Sequence, residues 1–210
     1  MSVDPKELKE IEKSILKGID ISDTSSKIRT VAGFEIIYTN KTYHCCCVVL
    51  DLETKEEKEQ KEVTGQEIMS YSPTFIAFRE GPAIIEAYRS LEEKPDLLIV
   101  KGNGALHKNK VGLASYVGVI LNKPCIGVSK DLMYGNLEED KIIFENELKG
   151  RAVKTKEFSN PVYVTPGHNI SVNSAAEIIK KLIKEPYKMP LPLHLAHKYL
   201  NKIKKNKLNL

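Results

Sequence analysis

The chain's 210 residues suffice to bury one sizeable core, and 41% hydrophobic with 29% charged residues excludes a disordered or low-complexity chain. No stretch approaches the roughly 20 apolar residues of a membrane span, and Met1-Ser2-Val3-Asp4-Pro5 leads into no apolar signal segment. A cytoplasmic, membrane-free monomer is therefore expected, and the net charge of +4 hints at an anionic partner.

In chain order, Pro5 to Lys17 places Leu8, Ile11, Ile15 and Leu16 at helical spacing between charges and predicts an N-terminal amphipathic helix. A polar connection follows. Thr30 to Tyr38 predicts a buried strand, and Thr42 to Leu50 its hairpin partner. Cys45 and Cys47 then share one face of that partner and Cys46 takes the other. With Cys125 they read as small buried hydrophobes in a reducing compartment, because the spacing suits neither a disulfide nor zinc. Asp51 to Val63 is a charged third strand or a loop.

Phe75 to Leu91 is helical in pattern, although Gly81-Pro82 would interrupt it or place Pro82 in a first turn. Leu97 to Val100 predicts a strand, Val111 to Leu121 a helix and Pro124 to Val128 another strand. After a more polar stretch, Val162 to Val164 predicts a strand ending at Pro166-Gly167. Ser171 caps a helix carrying Val172, Ala175, Ala176, Ile179 and Leu182 on one face. A last amphipathic helix is expected from about His194 to Ile203. The whole is expected to be one α/β domain over 1–210: a mixed sheet flanked by helices, with 1–28 as N-terminal helix and connection and 190–210 as a basic C-terminal helix. The lysines at 198, 202, 204, 205 and 207 either touch phosphates or form a solvated helix face.

Four places put polar groups at strand ends or in glycine-rich turns. Glu35 interrupts the apolar run V-A-G-F-E-I-I-Y; it is either an outward-facing glutamate or a partnered buried carboxylate. Glu80, in F-R-E-G-P-A, reads as a helix cap or as a metal ligand. In V-K-G-N-G-A-L-H-K, Gly102 and Gly104 allow close backbone approach to a ligand, or make a plain turn. His168, in Y-V-T-P-G-H-N, precedes a helix start; it is a ligand, an acid or a simple turn histidine.

Together V-A-G-F-E-I-I-Y, F-R-E-G-P-A, L-L-I-V-K-G-N-G-A-L-H, G-L-A-S-Y-V-G-V, P-C-I-G-V-S-K and P-V-Y-V-T-P-G-H resemble the endonuclease V family, in the family's order over about residues 30 to 183. The resemblance implies an RNase H-like fold. It also implies cleavage, dependent on Mg²⁺ or Mn²⁺, of DNA or RNA at the second phosphodiester bond 3′ to inosine. Carried over residue by residue, Glu80 matches a metal-binding glutamate, His168 an active-site histidine and Lys130 a catalytic-site lysine. Tyr71 and Pro73 match a wedge that opens the strands. Gly102 and Gly127 match backbone lining the pocket for a flipped base.

Two metal positions depart from the family pattern. Glu35 and Lys101 stand where the family has aspartates, and Asn103 replaces a neighbouring histidine. Exchanging a carboxylate for an ammonium beside Mg²⁺ costs on the order of 10 kcal/mol before relaxation. Reduced or altered cleavage is expected, with a catalytically inactive nucleic-acid-binding homologue as the alternative. Lys101 would then neutralise a phosphate as a point charge.

Overall fold

Thr30 to Thr39 (β1) and Thr42 to Asp51 (β2) pair antiparallel along their full length, and their apolar side chains fill both faces of a sheet. The structure, a computed structural model, describes residues 4–24 and 27–208, with side chains described up to residue 202. Residues 1–3 and 209–210 of the expected terminal helices, and the side chains of Lys204, Lys205 and Lys207, lie outside the described residues, as do positions 25–26 in the connection.

Among the described residues, nine strands form one sheet in the order β3-β2-β1-β4-β5-β9-β8-β7-β6. The remaining strands are β3 (Glu57–Gln66), β4 (Leu97–Lys101), β5 (Cys125–Ser129), β6 (Asn136–Glu138), β7 (Lys141–Phe144), β8 (Glu147–Val153) and β9 (Val162–His168). The β1-β4 and β4-β5 pairs are parallel, as βα connections require, and β9 returns antiparallel to β5. The fold is the mixed, helix-flanked sheet expected from the sequence.

Among the described residues, five α-helices accompany the sheet: α1 (Pro5–Gly18), α2 (Ile76–Ser90), α3 (Leu113–Leu121), α4 (Val172–Lys181) and α5 (Leu191–Leu208). One core joins Val31, Cys46, Ile99 and Ile126 to Ile179 of α4 and Leu193, Ala196 and Leu200 of α5. The other joins Phe34, Cys45, Cys47 and Val100 to Ile84 of α2 and Val117 of α3. The cysteines thus divide between faces as strand alternation requires, and all four are free and buried. In α1, the Asp4 side chain accepts from the Lys6 N–H at 2.9 Å and Pro5 fills the first turn.

Three details differ from the sequence reading. Gly81-Pro82 does not interrupt α2, which runs 15 residues through it. The Tyr38 hydroxyl donates to the Arg79 carbonyl at 3.0 Å, in the turn that the proline loosens. Strand β9 does not stop at Pro166-Gly167 but continues to His168. Pro166 lies past the last β8 partner, Val164, so its missing N–H interrupts no ladder on that edge. Finally, the polar stretch after β5 holds β6, β7 and β8, which bury only Ile142, Gly150 and Val153.

Candidate nucleic-acid site at the end of the sheet

The parallel ladder between β1 and β4 ends at Phe34 and Val100, so Glu35 and Lys101 are the next pair in register. Lys101 Nζ lies 2.8 Å from Glu35 Oε1; the carboxylate is 4% exposed and the lysine side chain 46%. Glu35 is therefore a partnered buried carboxylate and not an outward-facing one.

Helix α5 completes this partnership. A Cβ at Gly33 would stand 2.5 Å from the Pro192 backbone, so only glycine lets α5 lie directly on β1. That approach brings His197 Nδ1 to 3.2 Å from Glu35 Oε1, while Asn201 Nδ2 lies 2.8 Å from His197 Nε2. An amide nitrogen donates, so Nε2 accepts and the network assigns the ring proton to Nδ1. His194, one turn earlier, stacks on Tyr187 with ring centroids 3.6 Å apart. Burial, reinforced by the neighbouring His197 and Lys198, holds its pKa below the usual imidazole value.

Glu80 approaches from the other face. Phe75 occupies the cap position of α2 without a side-chain capping bond, so Glu80, one turn inside the helix, caps nothing. Burial pushes its pKa up to about 7; Arg79 and Lys101 pull it down, and Glu35 adds to the rise. Helices α2 and α5 cover opposite faces, yet their acidic and imidazole groups converge at the end of the sheet. Glu35 and Lys101 line both a cavity of about 140 Å³ with His194 and His197 and one of about 110 Å³ with Glu80.

A third cavity, about 130 Å³, gathers Tyr71, Pro73, Gly102, His107, Met133 and Tyr134. Gly127 lies beneath it: a Cβ there would stand 2.5 Å from the Gly102 carbonyl oxygen, so glycine lets the 102–104 loop cross β5. Tyr71 is 65% exposed and is not packed into the core. The Arg79 guanidinium lies 3.5 Å from the Tyr38 ring centroid and 5.6 Å from that of Tyr71. Two of its nitrogens also donate to Glu67 Oε1, at 3.0 and 2.8 Å.

Lys130 follows β5 and lines the same 140 Å³ cavity as Glu35 and Lys101. His168 does not join them. It pairs with Cys125 at the start of β5, whereas Ser129 ends that strand beside the site. Four residues of strand, about 13 Å, separate the two ends. There the Asp20 N–H donates to His168 Nδ1 at 3.2 Å, and burial lowers the imidazole pKa against an opposing pull from Asp20. The residues that sequence reasoning missed are His194, His197 and Lys188. Their only signal was the three-residue spacing of the histidines in L-H-L-A-H-K, which reads equally as an amphipathic helix.

The donor set does not fit the divalent ion that the resemblance implies. Such an ion wants several oxygen ligands in near-octahedral array. Here Glu35 Oε1 already receives an ammonium and an imidazole. Among the described residues no three acidic, histidine or cysteine side chains come together as ligands.

The mixed sheet flanked by helices is RNase H-like, with two glutamates and an apolar cavity beside a glycine loop gathered at one end of it. The Endonuclease V family profile matches residues 13–198. The chain is 38% identical to an Endonuclease V from Dictyoglomus thermophilum over 202 residues, 92% of this chain and 86% of that one. The crystal structure of the Bacillus subtilis Endonuclease V superposes with a TM-score of 0.88 at 28% identity, covering 99% of this chain and 95% of that one. The Ciona intestinalis Endonuclease V, solved with a 24mer DNA containing an inosine followed by a ribo-adenosine, gives 0.86 at 26% identity, covering 96% of this chain and 98% of that one. The chain belongs to the endonuclease V family.

Proposed function

We propose that this protein recognises inosine in a DNA or RNA strand and cuts 3′ to it far more slowly in Mg²⁺ than a relative with aspartate at position 101. The observation that carries this is the 2.8 Å contact between Lys101 Nζ and Glu35 Oε1. It places a fixed positive charge where family chemistry calls for an anionic ligand, and a divalent ion would have to displace it. Several features support the recognition half. Tyr71 and Pro73 border a cavity floored by the 102–104 loop and large enough for part of a base. Tyr71 is exposed enough to stack on a neighbouring base. Lys130 lines the cavity shared by Glu35 and Lys101 and would neutralise a backbone phosphate.

The misfit of the donor set favours a second reading, in which binding persists and cleavage is absent. One experiment tests both. Inosine-containing single-stranded DNA and RNA are incubated with the protein and its Lys101→Asp variant, in Mg²⁺ and in Mn²⁺. Slow cleavage that rises at least tenfold in the variant supports the first reading. No cleavage by either protein, with inosine-selective binding intact, supports the second. Fast cleavage by the unaltered protein, or its loss in Lys101→Asp, would overturn both.

A further inference from the structure

The 140 Å³ cavity is lined by Glu35 of β1 and by groups from four other parts of the chain. Lys101 ends β4, Lys130 follows β5, Lys188 lies in the connection before α5, and His194 and His197 lie on α5. Three lysines line it together with one buried carboxylate, Glu35 of β1. Glu35 is engaged by Lys101, while Lys130 and Lys188 have no ion-pair partner among the described residues. Lysines on a protein surface ordinarily spread apart. Here the chain crossovers bring them to one concavity with a low-polarity wall of Met189 and Leu193, where their fields add.

We propose that this cavity holds a backbone phosphate of the bound strand directly, with Lys101, Lys130 and Lys188 supplying the charge that a divalent ion would otherwise supply. The proposal rests on the inosine-recognition reading but concerns a different contact. Glu35 fixes the Lys101 ammonium, and His197 fixes Glu35, so one cation is preorganised. Lys130 and Lys188 line the same cavity and add two further donors. A phosphate diester carries one negative charge and accepts from several donors at once, which suits point-charge lysines. The grip is then independent of divalent ions.

The test uses the full chain and a labelled inosine-containing single-stranded DNA, with fluorescence anisotropy in EDTA across a salt series. Parallel strands carry one uncharged methylphosphonate linkage at successive positions around the inosine. Binding in EDTA within twofold of that in Mg²⁺ is expected. Lys188→Ala, folded by circular dichroism, should lose at least fivefold in affinity and about 0.7 in the slope of log K against log salt. One methylphosphonate position should weaken the unaltered protein fivefold or more but Lys188→Ala by less than twofold. Competition by inorganic phosphate, absent with Lys188→Ala, would assign the cavity to free phosphate as well as to the diester.

Loss of binding in EDTA, an unchanged slope in Lys188→Ala, or no linkage with that differential effect would overturn the proposal. Selectivity for inosine over adenosine is scored separately. If it vanishes while the lysine results hold, the recognition reading falls and the phosphate cavity stands.

Discussion

Lys101 and Glu35 occupy adjacent register positions on parallel strands and meet at 2.8 Å where the shared ladder of β1 and β4 ends. The pair is asymmetric, since the carboxylate is buried and the ammonium half-exposed. Exposed pairs contribute about 0.2–1 kcal/mol, whereas removing one partner of a fully buried pair costs about 3–5 kcal/mol. A double-mutant cycle of Glu35→Gln and Lys101→Met, read by urea denaturation at pH 7, should therefore give a coupling of about 1–2 kcal/mol. A value indistinguishable from zero would show that His197 alone satisfies Glu35.

Glu80 makes stability depend on pH in a defined direction. Its folded-state pKa of about 7 lies above the ordinary 4.5, so the folded protein holds a proton that the unfolded chain releases. Stability from this group is fully present below pH 4.5 and is lost as pH rises through 7, by about 3 kcal/mol in all. Glu80→Gln keeps the volume and removes the titration. Urea denaturation at pH 5 and pH 8 should show the variant gaining on the parent protein at the higher pH. An equal difference at both values would contradict the burial argument.

The elements with long, regular patterns were legible in the sequence. The β1-β2 hairpin, the βα units and α4 have the predicted bounds to within two or three residues, because apolar periodicity and a serine cap specify them locally. The three strands after β5 were not legible, since β6 buries nothing and β7 and β8 bury only Ile142, Gly150 and Val153. In the site, the sequence pointed to Glu35, Glu80, Lys101, Lys130 and Tyr71, and the fold brings these to neighbouring cavities. It pointed to His168 and passed over His197. No local signal distinguishes the two ends of β9, and the proximity of α5 to β1 depends on Gly33, some 160 residues from His197 in sequence.

Arg79 is expected to position Tyr71. Its guanidinium lies over the Tyr38 ring, within 5.6 Å of the Tyr71 ring centroid, and is held by Glu67. Lysine keeps the charge but loses the planar stack and the second donor. Tyr71→Ala should weaken binding of an inosine-containing strand by more than tenfold, since stacking is worth roughly 1–3 kcal/mol per base. Arg79→Lys should lose a part of the same energy, and the double variant no more than Tyr71→Ala alone. Additive losses in fluorescence titrations would mean that Arg79 acts independently of the tyrosine.

His168 should matter to stability and not to the site. It is 6% exposed, accepts from the Asp20 N–H, and lies at the end of β9 away from Lys101 and Glu35. Alanine would remove an acceptor and leave a small void, costing about 1–2 kcal/mol. Burial lowers its folded-state pKa below 6.5, so the unfolded chain binds the extra proton first and stability falls as pH drops below 6.5. Asp20 opposes that shift, which makes the loss small. His168→Ala should flatten this acid limb in urea denaturation between pH 5 and pH 7. The same variant should bind inosine-containing strands within twofold of the parent, whereas His197→Ala, which unfastens Glu35, should change binding more. A tenfold binding loss in folded His168→Ala would place the histidine back in the functional site despite its distance along the strand.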